Sequence, residues 1–375
     1  MITSILVLMA LIAFRQIKLK KELILGYFFI STIWTTNLLF NITRGTIAIS
    51  DEFFYLEADL LHDFPARFIW LLLNHAALLD FGEPILTMKL INLFFALGFF
   101  TFLSKHLTEI KANYLAIILA YLGIIASYNF RDILIIWLTF LMLFSLENCR
   151  QSKLFFLNKS ITFPTILLGL GLTLLRPLQM LTIYLSNVKI KYLVIGLAFF
   201  LVTFTFLSVY FKSTFYTFFW RIENIDLYLT NRIEKKGFDI PDTGLTPLSL
   251  FEWLMKFVLA PIPTSLLVRM FGGASVDYQF GAFDEAIRFF HRTFYYLILT
   301  FIFCCLFSKF RVFKRVVKQH SGIILFIFMY SLTYAIFNFG GSHERIKFTV
   351  YIGILVIFNS LLRGNNEKNN ILYKN

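Results

Sequence analysis

Apolar runs of about 14–21 residues recur along this chain, separated mostly by short polar turns. An α-helix rises about 1.5 Å per residue, so twenty residues cross a hydrocarbon core of about 30 Å. A soluble fold of 375 residues would show a polar face on its helices, and these runs show none. Only 15% of the residues are charged, against about 25% in an ordinary soluble domain. A β-barrel would show short alternating segments, which the sequence lacks. The expected fold is all-α: a polytopic transmembrane helical bundle forming a single integral membrane domain over residues 1–375.

The runs read as spans at 2–14, 23–40, 84–104, 113–130, 133–147, 161–175, 177–188, 192–211, 293–308, 322–339 and 348–362. A further apolar region, 251–270, is interrupted by "APIP". Because 177–188 is short for a span, the count is about 9–12.

The net charge of +13 acquires meaning only when placed on these spans. "MITSILVLMALIAF" lacks a basic leader and a small-residue cleavage site, and its basic cluster follows the apolar stretch. That order predicts a retained first helix with its N-terminus outside. Alternating from there, the inward loops are 15–22, 105–112, 147–160, 188–191, 309–320 and 363–375. They hold 19 of the 35 Lys and Arg but four of the 22 acids, and the rest of the chain carries slightly more acid than base. Cationic loops mark the cytoplasmic side. The expected location is the cytoplasmic (inner) membrane, with the C-terminus in the cytoplasm. The cations are spread over loops rather than gathered on one soluble face, so nucleic acid is not an expected partner. Cys149, Cys304 and Cys305 form no disulfide or metal framework.

Two larger loops, 41–83 and 212–250, fall outside, while no inner loop exceeds about fourteen residues. Chemistry is therefore expected at the outer face or within the bilayer. Segment 251–291 must begin and end outside. Pro261 and Pro263 argue against one straight span there, leaving a re-entrant hairpin or an amphipathic helix on the outer leaflet.

Four outer sites carry ionisable residues. "SDEFFYLEADLLHDFPARF" gathers Asp51, Glu52, Glu57, Asp59 and Asp63, answered only by His62 and Arg67. Asp51 and Glu52 precede an aromatic stretch and belong near the interface; the other three read as a solvated helix face. "YNFRDILIIW" sets Arg131 and Asp132 at a hairpin tip, either as an interfacial pair or as part of a site. "LTLLRPLQML" isolates Arg176 among leucines, where it must snorkel, find a distant carboxylate or bind an anion. "FGGSHERIKF" adds His343, Glu344, Arg345 and Lys347.

Arginines and carboxylates at one membrane face suit a specific chemistry. A phosphate or diphosphate leaving group needs cations that stay charged at low dielectric, and Arg supplies them with a bidentate fork. A sugar hydroxyl acting as nucleophile needs a carboxylate or histidine to accept its proton. Together these fit sugar transfer from a polyprenyl-phosphate or -diphosphate carrier. Asp51, Glu52 and Asp59 are the alternative divalent-ion set, but no His/Asp spacing demands a metal, and no cofactor is expected.

At these residues the chain resembles GT-C-type polytopic membrane glycosyltransferases and bacterial surface-polysaccharide (O-antigen or capsule) polymerases. The acidic pair before aromatics, Asp51-Glu52-Phe53-Phe54-Tyr55, is similar to that group's first outer loop. "HERIKFTVYIGILVIF" (343–358) is similar to its late arginine motif, without the proline. "LRP" and the "RD" tip also resemble it. The resemblance implies catalytic roles for Asp51, Glu52 and His343, and substrate binding by Arg67, Arg131, Asp132, Arg176 and Arg345. It implies a lipid-linked sugar or oligosaccharide as partner, among membrane lipids; oligomeric state is not indicated. The alternative is a lipid-linked oligosaccharide flippase or transporter.

Overall fold

The structure, a computed structural model, describes residues 21–45, 50–61, 64–79, 83–150, 163–187, 247–270, 282–338 and 344–372. The spans expected at 2–14 and 192–211, and all but the end of the 212–250 loop, lie outside the described residues. The described elements are α1 (Lys21–Thr43), α2 (Ser50–Glu57), α3 (Phe68–Leu78), α4 (Pro84–His106), α5 (Ala112–Ile118), α6 (Tyr121–Ala126), α7 (Asp132–Arg150) and α8 (Phe163–Leu175). They continue with α9 (Pro177–Asn187), α10 (Pro247–Leu259), α11 (Pro263–Met270), α12 (Ala282–Ser308), α13 (Phe310–Gln319), α14 (Ser321–Asn338) and α15 (Glu344–Leu372). No strand occurs among the described residues.

Among the described residues, four helices are long and apolar enough to cross a membrane: Lys21–Thr43, Pro84–His106, Ala282–Ser308 and Glu344–Gly364. α13 and the Ser321–Ala335 part of α14 form a fifth apolar unit bent by 79°. The chain is thus an all-α protein with the helices of a membrane protein. Run 133–147 lies within the single helix α7, but other apolar stretches are interrupted. Run 113–130 is divided between α5 and α6 at Leu119–Ala120. Pro177 opens α9 where α8 ends, because proline brings no N–H to continue the ladder.

One hydrophobic core joins most elements, with Trp70, Phe99, Phe100, Phe140, Phe326 and Tyr351 fully enclosed. α1 packs on α5 and α6, α4 on α3, α6 and α7, α9 on α8 and α14, and α12 on α15. The α1–α6 approach depends on a missing side chain. A Cβ at Gly123 would sit 2.9 Å from the Ile30 carbonyl oxygen. Small residues permit this close backbone contact between apolar helices. Large apolar side chains such as Phe28, Phe303 and Phe307 remain on the surface, as a lipid solvent allows.

The 251–270 region is two helices separated by a break. α10 ends at Leu259, α11 begins at Pro263, and the intervening segment carries the interruption read from the prolines. α10 packs on α14 and α11 on α12. The break lies beside α12, which runs on from Arg292 to Ser308 for about 24 Å. Free carbonyls at a buried break need donors from the protein. Tyr295 Oη donates to Val258 O at 3.0 Å and Tyr296 Oη to Leu259 O at 2.5 Å. Arg292 donates to Leu259 O at 3.0 Å, to Pro261 O at 3.1 Å and to Ala260 O. Lys347 Nζ donates to Ala260 O at 2.5 Å and to Lys256 O at 3.3 Å. Cations at a helix C-terminus also meet the negative end of its dipole.

Candidate functional site

The site is built on a non-helical connector, Ser127–Arg131, between α6 and α7. Its sequence, "SYNFR", interrupts two apolar helices with polar groups that must be paired when buried. Asn37 Nδ2 donates to Ser127 Oγ at 2.7 Å. Asn92 Nδ2 donates to Tyr128 O at 2.6 Å and Phe130 O at 2.8 Å. Asn129 Nδ2 reaches Asn74 Oδ1 at 2.6 Å, and its backbone N–H donates to Glu52 Oε1 at 2.6 Å. Side chains from α1, α2, α3 and α4 thereby hold a connector with no ladder of its own.

This scaffold delivers Arg131 and Asp132 to the first turn of α7. Arg176, at the α8–α9 break, contacts Asp132 Oδ1 at 2.8 Å. Arg345, in the first turn of α15, approaches Asp132 Oδ2 at 3.7 Å. Asp132 is nearly sealed, whereas the Arg176 and Arg345 side chains keep 15% and 27% of their surface exposed. Arg131 donates to Leu175 O at 2.6 Å and to Ala66 O, tying α7 to α8 and to the turn before α3. Burial, and then the neighbouring Arg176 cation, push the Arg131 guanidinium down to about 10, which leaves it charged at neutral pH.

Aromatic faces hold the arginines in place. The Arg345 guanidinium lies 3.9 Å from the Phe130 ring centroid, and Arg176 lies 6.0 Å from that of Tyr334. Arg67 stands 4.9 Å from Phe54 and 5.9 Å from Tyr55, close enough to Arg131 to act on its charge. Two arginines therefore meet one carboxylate, with Arg131 and Arg67 nearby. Such a cluster carries surplus positive charge at the end of an apolar bundle, and planar forks of this kind match phosphate oxygens.

Among the residues expected from sequence, Arg67, Arg131, Asp132, Arg176 and Arg345 come together. Glu52 sits beside them, bonded to the connector. Its carboxylate lies 3.2 Å from Lys89 Nζ, both groups being essentially sealed from solvent, and it also accepts the Asn129 N–H. It pins α2 to α4 and to the connector. Asp51 lies in α2, but its side chain is outside the described residues, as is His343 altogether.

A second charged cluster was not anticipated. Along α12, Asp284, Glu285, Arg288, His291 and Arg292 are all buried. Arg288 pairs with Asp284, and lies 3.5 Å from Glu285. Arg292 lies 3.5 Å from Glu344. His291 is enclosed by the rings of Tyr121, Phe348 and Tyr351 at 5.1, 5.4 and 4.3 Å. Tyr128 Oη donates to Asp284 at 3.2 Å, linking this cluster to the connector. The available signal was the "FDEAIRFFHR" spacing, which sets 284, 288, 291 and 292 on one helical face. Among the described residues, no group of three or more His, Cys, Asp or Glu is arranged to hold a metal ion.

Compared with family models, with curated proteins and with solved structures, the chain matches none.

Proposed function

We propose that this chain is a membrane glycosyltransferase or polymerase. It takes a sugar or oligosaccharide from a polyprenyl-(di)phosphate carrier at the outer face of the cytoplasmic membrane, in surface polysaccharide synthesis. The observation that carries this reading is the gathering of Arg131, Arg176 and Arg345 around Asp132. A permanently cationic, partly exposed site at the edge of an apolar bundle fits a ligand with an anionic head and an apolar tail. Charged groups in such a setting are expensive unless they serve a purpose.

In this scheme the arginines hold the (di)phosphate and stabilise charge as it leaves. Asp132 keeps their forks oriented, and Arg67 adds a further cation. The acceptor hydroxyl attacks the anomeric carbon, its C–O bond forms, and the bond to the carrier (di)phosphate breaks. The electron pair departs with the (di)phosphate oxygen, and the hydroxyl proton passes to a carboxylate or histidine. Asp51 and His343 remain the candidate acceptors. Glu52 serves as a positioning residue, through Lys89 and Asn129.

The break between α10 and α11 favours a second reading, a flippase for a lipid-linked oligosaccharide, because transporters build their sites on discontinuous helices. Purified protein in vesicles with a lipid-linked donor and an acceptor separates the two. Glycosidic product that is lost with Arg176→Ala supports transfer. Movement of the donor between leaflets without product supports transport and removes the enzymatic reading.

A further inference from the structure

The end of the molecule opposite the arginine cluster has its own chemistry. α13 carries Arg311, Lys314, Arg315 and Lys318, with Lys309 just before it, and all five side chains are exposed. No acid lies between 309 and 320. The opposite face of α13 buries Val312 and Val316 against Cys305, Ile357 and Leu361. The helix is thus strongly two-faced, and it turns 79° away from the adjoining apolar helix α14. A helix lying across the end of membrane-crossing helices, with a basic outer face, takes up the headgroup layer.

An apolar groove of about 420 Å³ opens beside α12 and reaches α13. Its walls include Leu259, Tyr296, Phe303, Leu306 and, from α13, Phe313. The two hydroxyls along it are engaged within the protein: Tyr296 Oη donates to Leu259 O at 2.5 Å and Thr300 Oγ1 to Tyr296 O at 2.8 Å. A polar guest would find few partners there, whereas a hydrocarbon chain loses nothing. From Tyr296 to Leu306 the groove follows α12 for about 15 Å, which is one leaflet of a hydrocarbon core of about 30 Å.

We infer that α13 and this groove form a binding site for one anionic phospholipid of the adjacent leaflet, its acyl chain in the groove and its phosphate headgroup among the α13 cations. The site is separate from the arginine cluster and does not depend on the proposed sugar chemistry. Charge complementarity selects the headgroup, and groove length and dryness select the chain.

The test reconstitutes the full chain in phosphatidylcholine vesicles and compares immobilisation of spin-labelled phosphatidylglycerol with that of spin-labelled phosphatidylcholine. The expected result is a preference for phosphatidylglycerol of roughly fivefold or more. It should fall towards unity in R311Q/K314Q/R315Q, and in 1 M salt, where screening shortens to about 3 Å. Thr300→Phe fills the groove without touching the charges and should lower immobilisation of both lipids. Because the three substituted cations are exposed, loss of folding is not expected, and retained monodispersity checks it. Equal immobilisation of the two lipids by the unmodified chain overturns the proposal. So does a preference that survives the triple substitution, and an unchanged signal in Thr300→Phe removes the groove from it.

Discussion

Arg176 and Asp132 meet at 2.8 Å across the break between α8 and α9, and Arg345 shares the other oxygen of the same carboxylate at 3.7 Å. One carboxylate thus organises two cations from distant parts of the chain. If Arg176 grips a phosphate through its fork, a lysine there keeps the charge but loses the geometry. Arg176→Lys should lower sugar transfer by about tenfold to a hundredfold, corresponding to a charged hydrogen bond of about 1.5–3 kcal/mol. Transfer assays on purified lipid-linked donor check this. Full activity in the lysine variant would exclude a bidentate role.

Glu52 and Lys89 are a buried pair, and such a pair is more damaging to break than to replace. Glu52→Gln should destabilise the protein by about 3–5 kcal/mol, because Lys89 is left enclosed without its counter-charge. The double variant E52L/K89M should regain much of that loss. Thermal unfolding in detergent reads both. A base in the reaction would behave differently: Glu52→Gln would then abolish transfer with little change in Tm.

Arg292 donates to three consecutive backbone carbonyls in the α10–α11 break. Arg292→Met preserves bulk and removes those donors. Leu259 O and Ala260 O keep Tyr296 and Lys347 as donors, whereas Pro261 O loses the donor it has in Arg292, and a buried acceptor left unpaired costs about 1–3 kcal/mol. Hydrogen exchange should therefore accelerate in 256–266 ahead of the rest of the bundle. Uniform exchange behaviour in the variant would mean that the α10–α11 break is held by other contacts.

Gly123 faces the Ile30 carbonyl so closely that any side chain must part α1 from α6. Gly123→Val should cost about 1–3 kcal/mol through overpacking. It should also loosen the connector, since from α1 Asn37 reaches Ser127 and Trp34 reaches the adjoining Ala126 carbonyl. A drop in Tm together with faster exchange at 127–131 is the expected signature.

Much of this arrangement can be read from apolar runs and the charges that interrupt them. Arg176 stands out because it lies alone among leucines, and Arg131, Asp132 and Arg345 because they form charged turns between greasy segments. That Arg176 meets Asp132 agrees with the long-range pairing such isolation demands. Lys89 passed unnoticed because it sits inside the 84–104 run, and one lysine hardly changes the apolar character of such a run. The α12 charges were hidden for another reason. Beginning the span at 293 left 284–292 outside it, while the helix extends back to Ala282 and buries them. The asparagines that pin the connector have no periodicity to betray them; their role follows from a break that only the fold creates.

Glu344 and Arg345 are adjacent on α15, yet one turns to Arg292 and the other to Asp132. Successive helical residues point about 100° apart, so a single rigid rod touches both clusters. Lys347, on the same turn, donates to the Lys256 and Ala260 carbonyls at the α10–α11 break. One turn of α15 therefore ties together the arginine cluster, the buried α12 charges and the α10–α11 break.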